Sequence, residues 1–351
     1  MASRYWVGTS NPGWDNVAGS KWSATSGGAS GASAPGPNDD VFIDAASYAG
    51  DPPYCIVTLT DNVEIKSLTL TGFTGQLVIG GTPYTLTING GGLTIPSGMS
   101  FVNSGILKFT ATSGSYNLVD ISGALTVDAV GATYTVSQST GPAGFNAVRL
   151  LGGTLNLTEG DGTTVGSIES SGTGVRALTL AGTITFRDGT GYTSPINFSG
   201  SNFTFTPGTS SMLMNNSDAA SKQFIGGGKT FYDVTFNQSH TIQGSNGFHD
   251  LTIAAAKTLT LTAGTTQTIS GTFTADGSSG NVITIASSSA GTAANLVVAT
   301  KGTLDYMVVS DNHATGAAVP LHPTNSTNNG GNVGWFPSQA AAAMFFNMYK
   351  N

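Results

Sequence analysis

Short alternations of apolar and polar residues run along most of this chain, divided by turns of Gly, Asn, Ser and Asp. The recurring unit is apolar–Thr–apolar: Leu68-Thr69-Leu70, Leu86-Thr87-Ile88, Leu125-Thr126-Val127, Leu178-Thr179-Leu180, Val234-Thr235-Phe236, Leu259-Thr260-Leu261 and Ile283-Thr284-Ile285. Successive side chains of a strand point to opposite faces, so the apolar pair enters a core and the threonine faces outward. Threonine is β-branched and suits an outward strand position.

A sandwich and a stacked solenoid both use such strands. Three features favour the solenoid. The alternations are only three to five residues long, and Asn-Gly hairpin signals are few, with Asn89-Gly90 and Asn246-Gly247 the exceptions. Phrases also recur at a distance: Phe231-Tyr232-Asp233-Val234-Thr235-Phe236 returns as Phe248-His249-Asp250-Leu251-Thr252-Ile253, 17 residues on. A recurrence in the high teens to twenties predicts the coil of a parallel β-helix. The expected fold is therefore all-β, a single-start parallel β-helix (solenoid) over 41–310, of roughly 13 coils at about 20 residues each.

The flanks read differently. Residues 1–40 hold Trp6, Trp14 and Trp22 at eight-residue spacing, then a Gly/Ser/Ala/Pro stretch, and predict an irregular N-terminal cap over the open end of the core. Raw solenoid ends template aggregation. The segment 311–337 is rich in Asn, Gly and Pro, shows no strand pattern, ends near Trp335 and is expected to cap the other end. Residues 338–351 carry four alanines and predict a short apolar helix. Its Met344, Phe345, Phe346, Met348 and Tyr349 would form a docking face for a partner or a sister subunit.

Composition narrows the function. Of 351 residues, 49 are Gly, 49 Thr and 38 Ser, while charged residues are only 9%. Such a chain supports few helices. Twelve basic against nineteen acidic residues give a net charge of −7, which argues against a nucleic-acid surface. The lone Cys55 excludes an internal disulfide framework and a cysteine-based zinc site. No apolar run reaches the length of a membrane span, and the start shows no secretory signal, so synthesis without export by that route is expected.

Candidate chemistry is thin. Gly226-Gly227-Gly228-Lys229-Thr230 resembles the end of a phosphate loop, but Gln223 stands where its first glycine belongs and a strand-like segment follows instead of a helix. His240, His249, His313 and His322 lack metal-ligand spacing, so no metal and no cofactor are expected. Asp39-Asp40, Glu159 with Asp161, and the single Asp218, Asp233 and Asp250 are the carboxylates to weigh for sugar cleavage. Asp233 and Asp250 hold equivalent places in the recurring phrase and would stack one coil apart. Only four arginines occur, and they are scattered. No catalytic residue is expected. Six Asn-X-Ser/Thr sequons, at Asn156, Asn197, Asn202, Asn215, Asn237 and Asn325, are what chance yields in so Asn- and Thr-rich a chain. Thr-X-Thr runs such as Thr258 to Thr262 are too irregular for an ice-binding ladder.

The opening Tyr5-Trp6-Val7-Gly8, Lys21 to Gly28 and Pro37 to Asp44 resembles that of β-helical surface proteins of bacteriophage virions and of large bacterial adhesins. Lys229 to Thr274, Leu304-Asp305-Tyr306 and Asn332 to Trp335 are similar to closing coils of the same group. Together these stretches cover about half the chain. The resemblance implies a non-enzymatic virion structural protein, a spike, fibre or capsid decoration assembled in the host cytoplasm and displayed on the virion surface. Its implied partners are other virion proteins of capsid or tail, further copies of itself with a homotrimer favoured, and host surface glycans. An adhesin module and a polysaccharide depolymerase acting through Asp233 or Asp250 are the alternatives.

Overall fold

A computed structural model describes residues 2–8, 13–14, 21–47, 56–73, 75–80, 84–95, 100–111, 113–117, 123–138, 144–159, 163–188, 193–216 and 222–337. The described residues are all-β. They contain no helix, and so none long and apolar enough to cross a membrane. The helix expected over 338–351, with Met344, Phe345, Phe346, Met348 and Tyr349, lies outside the described residues, as does Cys55. The chain divides into two compact units, Met1–Gly182 with Gly200–Thr206, and Thr183–Ser199 with Pro207–Asn351.

In the first unit, a parallel ladder climbs through Asp40–Asp44, Val63–Thr71, Thr85–Thr94, Ile106–Phe109, Ala124–Gln138, Ala147–Glu159, Arg176–Leu180 and Phe203–Thr206. A second, three-stranded ladder joins Ile56–Thr58, Gln76–Ile79 and Ser100–Asn103. Because the pairing is parallel and in register, like residues stack. Val63, Leu86, Leu107, Leu125, Val148 and Ile168 form one buried column. Each such side chain contributes about 1.5–3 kcal/mol by leaving water.

In the second unit the chain alternates between two parallel ladders. One runs through Thr183–Phe186, Ser211–Met214, Thr230–Phe236, Asn246–Ile253, Thr266–Asp276, Ala294–Asp305 and Asn312–Thr315. The other runs through Lys222–Ile225, His240–Gln243, Thr258–Leu261, Ile283–Ser287, Met307–Ser310 and Thr327–Asn328. This is solenoid-like winding: each turn of chain adds one rung to each ladder. Phe186, Met214, Phe236, Ile253, Ala275 and Leu304 make a buried column, and Thr235, Thr252 and Thr274 stack on the outer side of the same strands. The recurrence of 17 residues is one rung, since Phe231 pairs with Phe248 and Asp233 with Asp250.

The ladders differ from the sequence reading in three ways. They start earlier: Ser3–Trp6 pairs in parallel with Asp40–Asp44 and antiparallel with Trp22–Ser23, inside the stretch expected to be irregular. They end later: Asn312–Thr315 and Thr327–Asn328 lie in the segment that shows no strand pattern. There the inward residue is Asn312, fully buried, whose Nδ2 donates to the Ser310 carbonyl at 2.6 Å, so a polar side chain takes an apolar place. Some strands are also much longer than five residues. Ala124–Gln138 and Ala147–Glu159 each continue round a corner at Gly131 and Gly153, both at φ +82°.

Candidate functional site

The tryptophans that the sequence singles out are all buried. Trp6, Trp14 and Trp22 are buried together, their rings 5.0 to 6.4 Å apart. Trp335 is buried against Phe273 in the second unit, edge to face at 6.1 Å. These side chains bury large areas and leave nothing outward to bind with.

The carboxylates sort clearly. Asp39 accepts from the backbone N–H of Ala2 and Gly36. Asp40 accepts from Lys66 and from the Ser67 hydroxyl. Burial works to raise the Asp40 pKa, but those two partners outweigh it and hold the carboxyl below 3.8. Both residues are thus committed to local structure. Asp161 and Asp218 lie outside the described residues, and so does the Glu159 side chain. The Gly226-Gly227-Gly228-Lys229 segment is a tight turn, with Gly227 at φ +62° and Gly228 at φ +73°, and it leads into the strand Thr230–Phe236. It has no helix N-terminus to offer a phosphate.

Asp233 and Asp250 come together with a residue the sequence reading set aside. On Thr230–Phe236, Phe231 and Val234 point inward, so Tyr232 and Asp233 both face out at a bend. On the next rung Phe248 and Leu251 point inward, and His249 and Asp250 face out. The bend widens at the following rung, where the register slips between Phe248 and Leu251. Stacking then builds two outward columns. The Tyr232 and His249 rings lie parallel, 1° apart in plane and 4.4 Å between centroids. Beside them, His249 Nδ1 stands 3.2 Å from Asp233 Oδ1 and 3.5 Å from Asp250 Oδ1. Asp250 Oδ1 also accepts from the Thr272 backbone N–H at 2.5 Å. Gly271 makes room for that carboxylate, since a Cβ there would meet Asp250 Oδ1 at 2.2 Å. All three side chains are about two-fifths exposed.

A shallow hollow of about 360 Å³ lies on the same strands, lined mainly by Thr230, Ser245, Gly247, Thr266, Thr268 and Ser270. Thr230, Gly247 and Thr268 are consecutive rungs of one outward column, and the missing side chain at Gly247 forms the dip. Its hydroxyls can exchange hydrogen bonds with a polar ligand. Glycoside hydrolysis sets two carboxyls about 5–10 Å apart across a sugar. Here one carboxylate oxygen of each aspartate and the imidazole nitrogen all lie within 4.8 Å of one another, closer than that spacing.

The remaining histidines stay apart from this cluster. His240 is buried, its Nδ1 3.0 Å from the Gln238 carbonyl, and His313 pairs by backbone with Asn295. Helical spacing could not have found His249, because its partners come from two rungs. The signal was present in the recurring phrase, where Tyr232-Asp233 and His249-Asp250 occupy the same two places.

No protein-family model, curated protein or solved structure matches this chain.

Proposed function

We propose that this chain is a non-catalytic structural protein of a bacteriophage virion, displayed on the particle surface as a spike, fibre or capsid decoration. In this reading the ladders form a single-start parallel β-helix. The cluster of Trp6, Trp14 and Trp22 covers one end of its core, and 311–337 with Trp335 covers the other. The observation that carries the reading is the outward hydroxyl ladder over a stacked apolar core, with Thr235, Thr252 and Thr274 above Phe236, Ile253 and Ala275. A fold that repeats one rung places the same hydrogen-bonding groups at a fixed interval. That suits contact with glycans or with a repeating protein lattice better than it suits turnover of one small substrate. The resemblance of 5–8, 21–28, 37–44 and 229–274 to phage and adhesin β-helices supplies the choice of a virion.

Other virion proteins are the partners in this reading. The apolar residues Met344, Phe345, Phe346, Met348 and Tyr349 supply the docking contact or the trimer contact. Gold-labelled antibody raised against the chain should decorate purified particles from its host. Particles carrying a chain that lacks 338–351 should lose the label. Wild-type particles that lack the chain by mass spectrometry would remove the virion reading. Unchanged labelling after the deletion would remove the role of the tail. Light scattering of the purified chain should give the mass of three copies.

A further inference from the structure

We propose that Asp233, His249 and Asp250 form a binding site for a divalent cation of the zinc class. Two carboxylates one rung apart in a parallel, in-register ladder repel each other, and like charges in direct cross-strand pairs are destabilising. A positive charge placed between them relieves that repulsion. The imidazole is placed for this, but a proton on it accounts for the geometry poorly. Nδ1 carries a single N–H and can satisfy one carboxylate, yet it faces two. A charge-assisted N–H···O bond runs about 2.7–2.9 Å, and both separations here are longer.

The separations fit the edge of a metal tetrahedron. Zinc binds imidazole nitrogen and carboxylate oxygen at about 2.0–2.2 Å, which in a tetrahedron puts neighbouring ligand atoms about 3.3–3.6 Å apart. Of the observed edges, 3.5 Å lies within that range and 3.2 Å just below it. The third edge, between the two carboxylates, is within 4.8 Å. The surroundings already hold the donors in place. The Thr272 N–H fixes Asp250 and the Tyr232 ring fixes the plane of His249, the support that outer-shell partners give metal ligands. One imidazole with two carboxylates favours zinc-class ions over calcium or magnesium, which take all-oxygen sites. Three protein ligands on an exposed bend leave the fourth position open to water or to a hydroxyl of a bound molecule. The inference does not depend on the virion reading, since it concerns only these three side chains.

The test uses the full chain, stripped with chelator and titrated with Zn²⁺ by calorimetry. Co²⁺ serves as an optical probe, because four-coordinate Co²⁺ absorbs visible light far more strongly than the six-coordinate ion. The expected result is one equivalent of Zn²⁺ at micromolar affinity or tighter, a four-coordinate Co²⁺ spectrum, and no competition from millimolar Ca²⁺. Asp233→Asn, Asp250→Asn and His249→Gln should each weaken binding at least tenfold. Asp250→Asn keeps an acceptor for Thr272, and circular dichroism of each variant reports whether it folds. Absence of Zn²⁺ binding to the wild-type chain would overturn the proposal. So would binding that survives all three substitutions in folded protein.

Discussion

His240 is fully buried beside Phe236, with its ring 5.0 Å away, and its rung neighbour is Lys222. Burial pushes its pKa below 6.5, and the Lys222 charge adds to that against the opposing Gln238 carbonyl. In the unfolded chain the imidazole titrates near 6.5. Between that value and the lower folded one, the unfolded state binds more protons than the folded state. The stability that depends on neutral His240 is therefore whole above pH 6.5 and is lost as the pH falls toward the folded value. Urea midpoints of the chelated chain should fall from pH 7 to pH 5, and His240→Leu should flatten that slope. An equal slope in the variant would locate the proton uptake elsewhere. The sequence shows this histidine only as an isolated one. Neither its burial nor the meeting of His249 with Asp233 and Asp250 can be read from spacing within a strand, because both depend on which residue lies one rung away.

The corners show what separates one strand element from the next. Gly131 and Gly153 both turn at φ +82°, a region that L-residues enter at a cost, but their surroundings differ. A Cβ on Gly131 would meet nothing within 4 Å, whereas one on Gly153 would come within 2.2 Å of the Ala129 carbonyl oxygen. Gly131→Ala should thus cost about 1–2 kcal/mol from backbone strain alone. Gly153→Ala should cost more, since the rung above must also move. Chemical denaturation of the two variants should rank them in that order, and equal midpoints would sink the argument. The straight parts of the elements were legible: Leu259 and Leu261 point in with Thr260 out, as the alternation requires. The corners were not, because a glycine reads as a strand boundary although pairing continues through it. Inward polar residues hid further rungs. Asn246 and Gln267 stack inside the core and bond to each other at 3.1 Å, and Asn312 closes a strand that alternation alone passes over.

At the scale of the whole molecule, the parallel ladders govern kinetics more than they govern net stability. Within the described residues, ladder partners stand from 17 positions apart, as Asp233 and Asp250 do, to 37, as Ser3 and Asp40 do. Each rung must close a loop of that size before its hydrogen bonds and its buried residues repay the lost entropy. Parallel pairing of this kind folds slowly. Unfolding is slow for the complementary reason, since an inner rung is held by hydrogen bonds on both sides and by columns such as Val63 to Ile168. Charge adds little, with only 9% of residues charged and the ion pairs among the described residues partly exposed. The purified chain should therefore refold over seconds or longer after dilution from denaturant. It should resist protease for hours at 25 °C, with an unfolding rate almost unchanged between low and high salt. Stopped-flow fluorescence of the buried Trp6, Trp14, Trp22 and Trp335 reports both rates. Millisecond refolding, or unfolding accelerated severalfold by salt, would show that local or electrostatic contacts, and not the stacked rungs, set the barrier.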